Sequence, residues 1–239
     1  MSHVNVRQYT LIRNAVLALL SLVVIGGFSF GGYLLNIPKI NILEHTARNL
    51  YFHVPMWFTM MAAGFVSAYH AVQYLRGNEI VRDIRSAQAA KVGFAFGMLG
   101  LLTGIVWSKF TWYQGTNVWW SFDVKQTMAA VQVLIYGAYF VLRSSIDDVE
   151  KRGRIAAVYN IFAAVTMPFL LYVLPRQFES LHPGAEGNPA FSDITHPMMR
   201  VVFYPACVGF IGLFWVLYTQ RVRTALLKLR LDPDRDPEL

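Results

Sequence analysis

Charge is scarce in this chain. Of its 239 residues only 15% are Asp, Glu, Lys or Arg, against roughly 25% in a soluble domain, whose surface has to face water. Cysteine is scarcer still. The single thiol, Cys207, excludes an internal disulfide framework, dithiol redox chemistry and a C-x-x-C-H site for covalent haem attachment. No G-x-x-x-x-G-K-[ST] stretch occurs, so the chain is not itself a P-loop ATPase. What fills the sequence is apolar: hydrophobic residues make up 55% and the mean hydropathy is +0.40. Such a chain has too little polar surface to cover a globule, and its natural solvent is a bilayer.

A crossing needs about 20 predominantly apolar residues. Six segments qualify: 14–36, 50–75, 89–108, 124–142, 155–175 and 201–220. The first reads as an uncleaved helix, because its apolar run continues from Ala15 to Leu35 without a small-x-small cleavage site. Basic residues set the orientation. The N-terminus, the 76–91 and 143–154 connections and the tail hold fifteen of the 21 Lys and Arg residues. The other face holds Lys39, Arg48, Lys109, Lys125, Arg176 and Arg200. The expected fold is therefore all-α, a polytopic membrane protein with six transmembrane helices and both termini cytoplasmic. Residues 1–220 form the membrane domain, and 221–239 a cytoplasmic tail ending in the charged, proline-punctuated LDPDRDPEL. The formal charge of +7 is a topology signal and needs no nucleic acid.

The outer connections, 37–49, 108–123 and 176–200, carry the unusual residues. His45, His53, His182 and His196 lie in or beside them, and four of the six tryptophans fall within 107–122: Trp107, Trp112, Trp119 and Trp120. Interfacial belts enrich Trp and Tyr on both sides of a membrane, whereas this enrichment is lopsided. Two imidazoles clamp a haem iron axially, indole faces stack on a flat apolar macrocycle, and arginines pair with its propionates. A quinone fits the aromatics but has less need of the histidines.

The stretch WYQGTNVWWSFD, Trp112 to Asp123, resembles the tryptophan-rich signature of the CcmC/CcsA haem-handling proteins of cytochrome c biogenesis, closest to the six-helix CcmC branch. ARNLYFHVP (47–55), LLTGIVWSK (101–109), SLHPG (180–184) and HPMMR (196–200) resemble further segments of that family in the same order. The resemblance implies two external haem ligands, His53 and His182, which bind the iron. It implies an aromatic platform of Trp112, Trp119, Trp120 and Phe122 closed by Asp123, with Arg48 and Arg200 the favoured propionate partners and Arg176 a third candidate. Phe122 replaces the usual last tryptophan of the motif and Lys125 the usual arginine. The implied function is to bind haem b transiently at the periplasmic face of a bacterial inner membrane and deliver it to a periplasmic haem chaperone, CcmE. Partners would be ABC-type ATPase and permease subunits and a small membrane subunit; the chain itself would not be an enzyme.

Simpler readings stand beside these. His196 is a rival to His182, while His45 and His70 read as structural. Asp123 reads as the N-cap of the fourth span, in a variant capping box with Gln126. Lys125 fits a residue snorkelling to the headgroups. Pro168, Pro175 and Pro205 are expected to kink their helices. Other functions are a CcsA-type haem–apocytochrome ligase core, a b-type electron-transfer subunit, or an aromatic girdle without haem.

Overall fold

The computed structural model describes residues 3–31, 43–182 and 197–231, and among these every regular element is helical. Six long helices form the bundle. Helix α1 (His3–Val24) passes into a π-helical stretch, Ile25–Phe30. A 3-10 turn, Glu44–Asn49, leads into α2 (Leu50–Gly77). Then follow α3 (Ile80–Thr111), α4 (Val124–Ser144), α5 (Val149–Pro168) and α6 (Pro197–Leu231). Beyond α5 the chain continues as a π-helical stretch, Phe169–Val173, and a 3-10 turn, Leu174–Gln177.

Five of the six helices are long and apolar enough to cross a membrane, and the exception is α2. Its 28 residues have ample length at about 1.5 Å per residue. Its apolarity is diluted by His53, Thr59, Ser67 and His70, all buried. Helix α2 is the central one, packed against α3, α5 and α6, so its polar groups meet protein rather than lipid.

Helices α2 and α3 form a hairpin closed by Asn78 and Glu79 alone, where a 76–91 connection was predicted. Asn78 takes the left-handed conformation (φ 54°) and donates its N–H to the Tyr74 carbonyl at 2.7 Å, a C-terminal capping arrangement. The polar stretch 80–91 forms the first turns of α3, because its charge is matched inside the bundle. Asp83 receives both Nη atoms of Arg143 at 2.7 and 2.5 Å, and both side chains are almost wholly buried. Likewise α5 begins at Val149, earlier than residue 155, with the Asp148 carboxylate accepting from the Lys151 N–H at 2.6 Å.

Close approach of α2 and α3 rests on glycine. A Cβ at Gly93 would stand 2.8 Å from that of Ala63, and one at Gly104 only 2.8 Å from Cε1 of His53. Small residues let helix backbones come together where the solvent gives no hydrophobic drive between them. A buried polar knot adds direction. Ser67 donates to the Ser86 carbonyl (2.6 Å), Ser86 to the Ser67 carbonyl (3.0 Å), and Asn160 of α5 to both hydroxyls (2.5 and 2.8 Å). Outward faces are apolar, as at Leu134, Val165 and Val208.

Pro168 ends the α-helical part of α5 and Pro175 sits at the start of the 3-10 turn; α6 runs through Pro205 without a change of helix type. Helix α6 also continues past residue 220 to Leu231, where a tail was expected from 221, and Arg221 donates to Gln88 at 2.9 Å.

Removing one partner of the buried Asp83–Arg143 pair strands a charge, so Asp83→Leu or Arg143→Met should each destabilise the bundle by about 3–5 kcal/mol. The double variant Asp83→Leu/Arg143→Met should cost less than the sum, as read by denaturation in detergent. Additive losses would mean that the pair is not coupled.

Candidate functional site

At the end of the bundle opposite the Asp83–Arg143 pair, the first turns of α2, the last turns of α3, the start of α4 and the chain after α5 enclose an open cleft. Its empty volume, open mouth included, is about 1310 Å³. Of the residues singled out from the sequence, His53, His182, Trp112, Asp123, Lys125 and Arg176 line it.

The two histidines meet across this cleft, their ring centres 6.2 Å apart and their planes tilted by 43°. His53 is buried on α2, seated on α3 where Gly104 leaves room for the imidazole. Its Nδ1 lies 3.1 Å from Oγ1 of Thr103. His182 arrives from the far side on an irregular segment, and that segment is fixed by Asp123. The Asp123 carboxylate accepts the Lys125 N–H (2.9 Å), capping α4, and also the Ser180 hydroxyl (2.8 and 3.0 Å) and the Leu181 N–H (3.1 Å). Ser180 in turn accepts the His182 N–H at 3.1 Å, and Lys125 Nζ donates to the His182 carbonyl at 3.4 Å. The expected cap is present. The expected capping box is not, because Gln126 Oε1 accepts from the N–H (3.4 Å) and hydroxyl (3.2 Å) of Ser121 instead.

Trp107 stands edge-on to both imidazoles, 5.5 Å from His53 and 6.2 Å from His182, and its buried indole N–H has no partner. Trp57 is 6.3 Å from His53, and Trp112 lies tilted by 30° beside His182 at 6.5 Å. The rest of the predicted platform lies elsewhere. Trp119, Trp120 and Phe122 are not on the cleft wall. Trp119 is half exposed with Lys109 over its ring at 5.6 Å, and Lys109 also ties the loop through the carbonyls of Tyr113 and Thr116. Phe122 is 80% exposed and holds a left-handed backbone (φ 56°), a costly conformation for a bulky residue. Its ring meets that of Trp120 edge-on.

The cations of the cleft are Lys125 and Arg176, the latter stacked 3.5 Å above the Tyr172 ring centre. Arg48 and Arg200, the favoured anion partners, do not line it; the buried Nε of Arg48 has no hydrogen-bond partner. His196 lies outside the described residues. His45 is exposed, and His70 is buried against Tyr69 and Tyr218.

Sequence reasoning passed over Thr103, Trp57 and Trp107 as site residues. A helical signal for them exists. Gly100, Thr103, Gly104 and Trp107 share one face of α3 at spacings of three and four, as do His53 and Trp57 on α2. Among the described residues no group of three or more His, Cys, Asp or Glu is placed to hold a metal ion. Two imidazoles alone make a poor cage for a bare ion, which takes three or four protein ligands. They are sufficient where a planar ligand supplies the remaining bonds. Rings sharing one metal, each nitrogen about 2.0 Å away, stand with centres roughly 6 Å apart, and the observed spacing matches.

The family model described as heme exporter protein C matches residues 4–235. Heme exporter protein C of Bradyrhizobium diazoefficiens is 26% identical over 187 residues, covering 78% of this chain and 69% of that protein. The Paracoccus denitrificans protein of the same name is 24% identical over 193 residues (78% and 76%), and that of Escherichia coli K12 is 27% identical over 180 residues (75% and 70%).

Asp123→Ala should remove the α4 cap, worth about 1 kcal/mol, and free the His182 segment at the same time. Hydrogen exchange at residues 180–182 should accelerate strongly in Asp123→Ala and less in Ser180→Ala. Unchanged exchange in both would show that the segment is held by something else.

Proposed function

The chain belongs to the heme exporter protein C family, and from that premise we propose that it binds haem in the cleft between His53 and His182 and passes it on during cytochrome c maturation. The observation that carries this reading is the pair of imidazoles facing each other at 6.2 Å, on segments far apart in sequence. The tryptophans around the cleft and its two cations fit a flat, anionic cargo.

The bundle sits in the bacterial inner membrane with six crossings, α2 included, and with both termini and the segment from 221 on the cytoplasmic side, as the distribution of Lys and Arg indicates. The cleft then opens on the periplasmic face. His53 is a fixed ligand on a packed helix, whereas His182 is held through hydrogen bonds to Ser180 and Lys125, with Ser180 and Leu181 bound in turn to Asp123. The second bond to iron is therefore the easier one to exchange. Arg176 and Lys125 hold the propionates, in place of Arg48 and Arg200. A periplasmic haem chaperone, CcmE, docks beside the exposed Trp119 and Phe122 and receives haem as His182 lets go. The chain acts as a carrier rather than an enzyme, and ATP-driven release belongs to ABC-type partner subunits.

The test is an absorption spectrum of the detergent-purified, haem-supplied protein. A low-spin bis-histidine Soret pattern is expected, degraded in both His53→Ala and His182→Ala, with haem moving to added chaperone. Haem that binds but does not transfer would favour a b-type electron carrier; no haem band in the protein co-expressed with its partners would overturn the reading. Arg176→Gln should weaken haem binding by roughly 10-fold, as expected for loss of about 1.4 kcal/mol of charge-assisted pairing. It should leave binding of haem dimethyl ester unchanged. Equal losses for both ligands would refute the propionate assignment.

A further inference from the structure

We propose that Thr103 is the positioning residue that fixes the tautomer of His53, so that Nε2 presents its lone pair to the cleft. This rests on reading the cleft as a haem site, but the argument itself is hydrogen-bond accounting. A threonine hydroxyl has one proton to give and two lone pairs. Oγ1 of Thr103 stands 2.9 Å from the Leu99 carbonyl and 3.0 Å from that of Gly100, and carbonyl oxygens only accept. The hydroxyl proton goes to them, and a lone pair is left facing Nδ1 of His53 at 3.1 Å. Nδ1 must then be the nitrogen that carries hydrogen. A neutral imidazole has one N–H, so Nε2 is bare.

Iron needs a bare nitrogen. In many metal sites the partner on the other ring nitrogen selects which one is bare and fixes the plane of the ring. Thr103 has the placement for that task. Its carbonyl is tied to Asn49 Nδ2 at 3.3 Å, at the foot of α2. The glycine that follows it, Gly104, admits the ring to the helix surface. Without the hydroxyl as acceptor, the Nδ1–H form loses this hydrogen bond, and the ring more readily places its proton on Nε2, where it would have to be expelled before iron binds.

The haem-free, 15N-labelled protein gives a direct reading. Long-range 1H–15N correlations of His53, assigned by their loss in His53→Gln, should report the Nδ1–H form at neutral pH. Thr103→Val, which keeps the shape and removes the hydroxyl, should shift His53 toward the Nε2–H form and weaken haem binding by roughly 10- to 100-fold. Thr103→Ser should restore both. A wild-type protein found in the Nε2–H form overturns the proposal, and so does a folded Thr103→Val with the wild-type tautomer and affinity. If Thr103→Val does not fold, the wild-type correlations decide alone. Should the tautomer be as stated while no haem is ever bound, the haem reading fails and the assignment of Thr103 stands.

Discussion

Everything at the cleft depends on how closely α2 and α3 approach. Gly93 and Gly104 mark the distance: a methyl group at either would sit 2.8 Å from an atom of α2. Between hydrocarbon chains and leucine side chains there is no hydrophobic preference, so membrane helices adhere by contact and by hydrogen bonds. The glycines permit the contact, and the Ser67–Ser86–Asn160 knot supplies the bonds. The same closeness brings His53 onto Thr103 and places Trp107 against the imidazole. A wider hairpin would leave His53 a buried polar group without a partner, a costly state.

The second histidine is held by different means. His182 belongs to no helix, and its place is set by a carboxylate with three duties: Asp123 caps α4, takes the Ser180 hydroxyl and takes the Leu181 N–H. A charged acceptor makes each of these bonds stronger than a neutral one would. One imidazole is thus held by packing and the other by an electrostatic clasp. That asymmetry suits a site that must capture its cargo and later give it up, since hydrogen bonds near water exchange more easily than a packed helix moves.

Much of this was legible in the sequence, and the reasons are specific. The apolar runs announced the helices, and the lopsided tryptophans and histidines pointed to the end of the bundle that holds the cleft. His53, His182, Trp112 and Asp123 were named from motifs and do line the cleft. The polar stretch 80–91 was misread as a connection, because hydropathy records Asp83 and Arg143 as charges and cannot record that they cancel in a pair. Trp119, Trp120 and Phe122 were grouped with Trp112 through the resemblance to a tryptophan-rich motif. None of the three lines the cleft, and Phe122, with its positive φ, is largely exposed.

The sequence by itself determined the solvent, the helices, the family and the identity of the two facing histidines, because hydrophobic run length and motif order are one-dimensional properties. Tertiary structure alone decided which aromatics and which cations join them. Trp57, Trp107 and Arg176 enter the cleft, and Arg48 and Arg200 do not. It also decided that Thr103 meets Nδ1 and that Asp123 reaches Ser180 across 57 positions. Those pairings are made between segments far apart in the chain, and their register is set by small-residue contacts and buried polar bonds that no single segment contains.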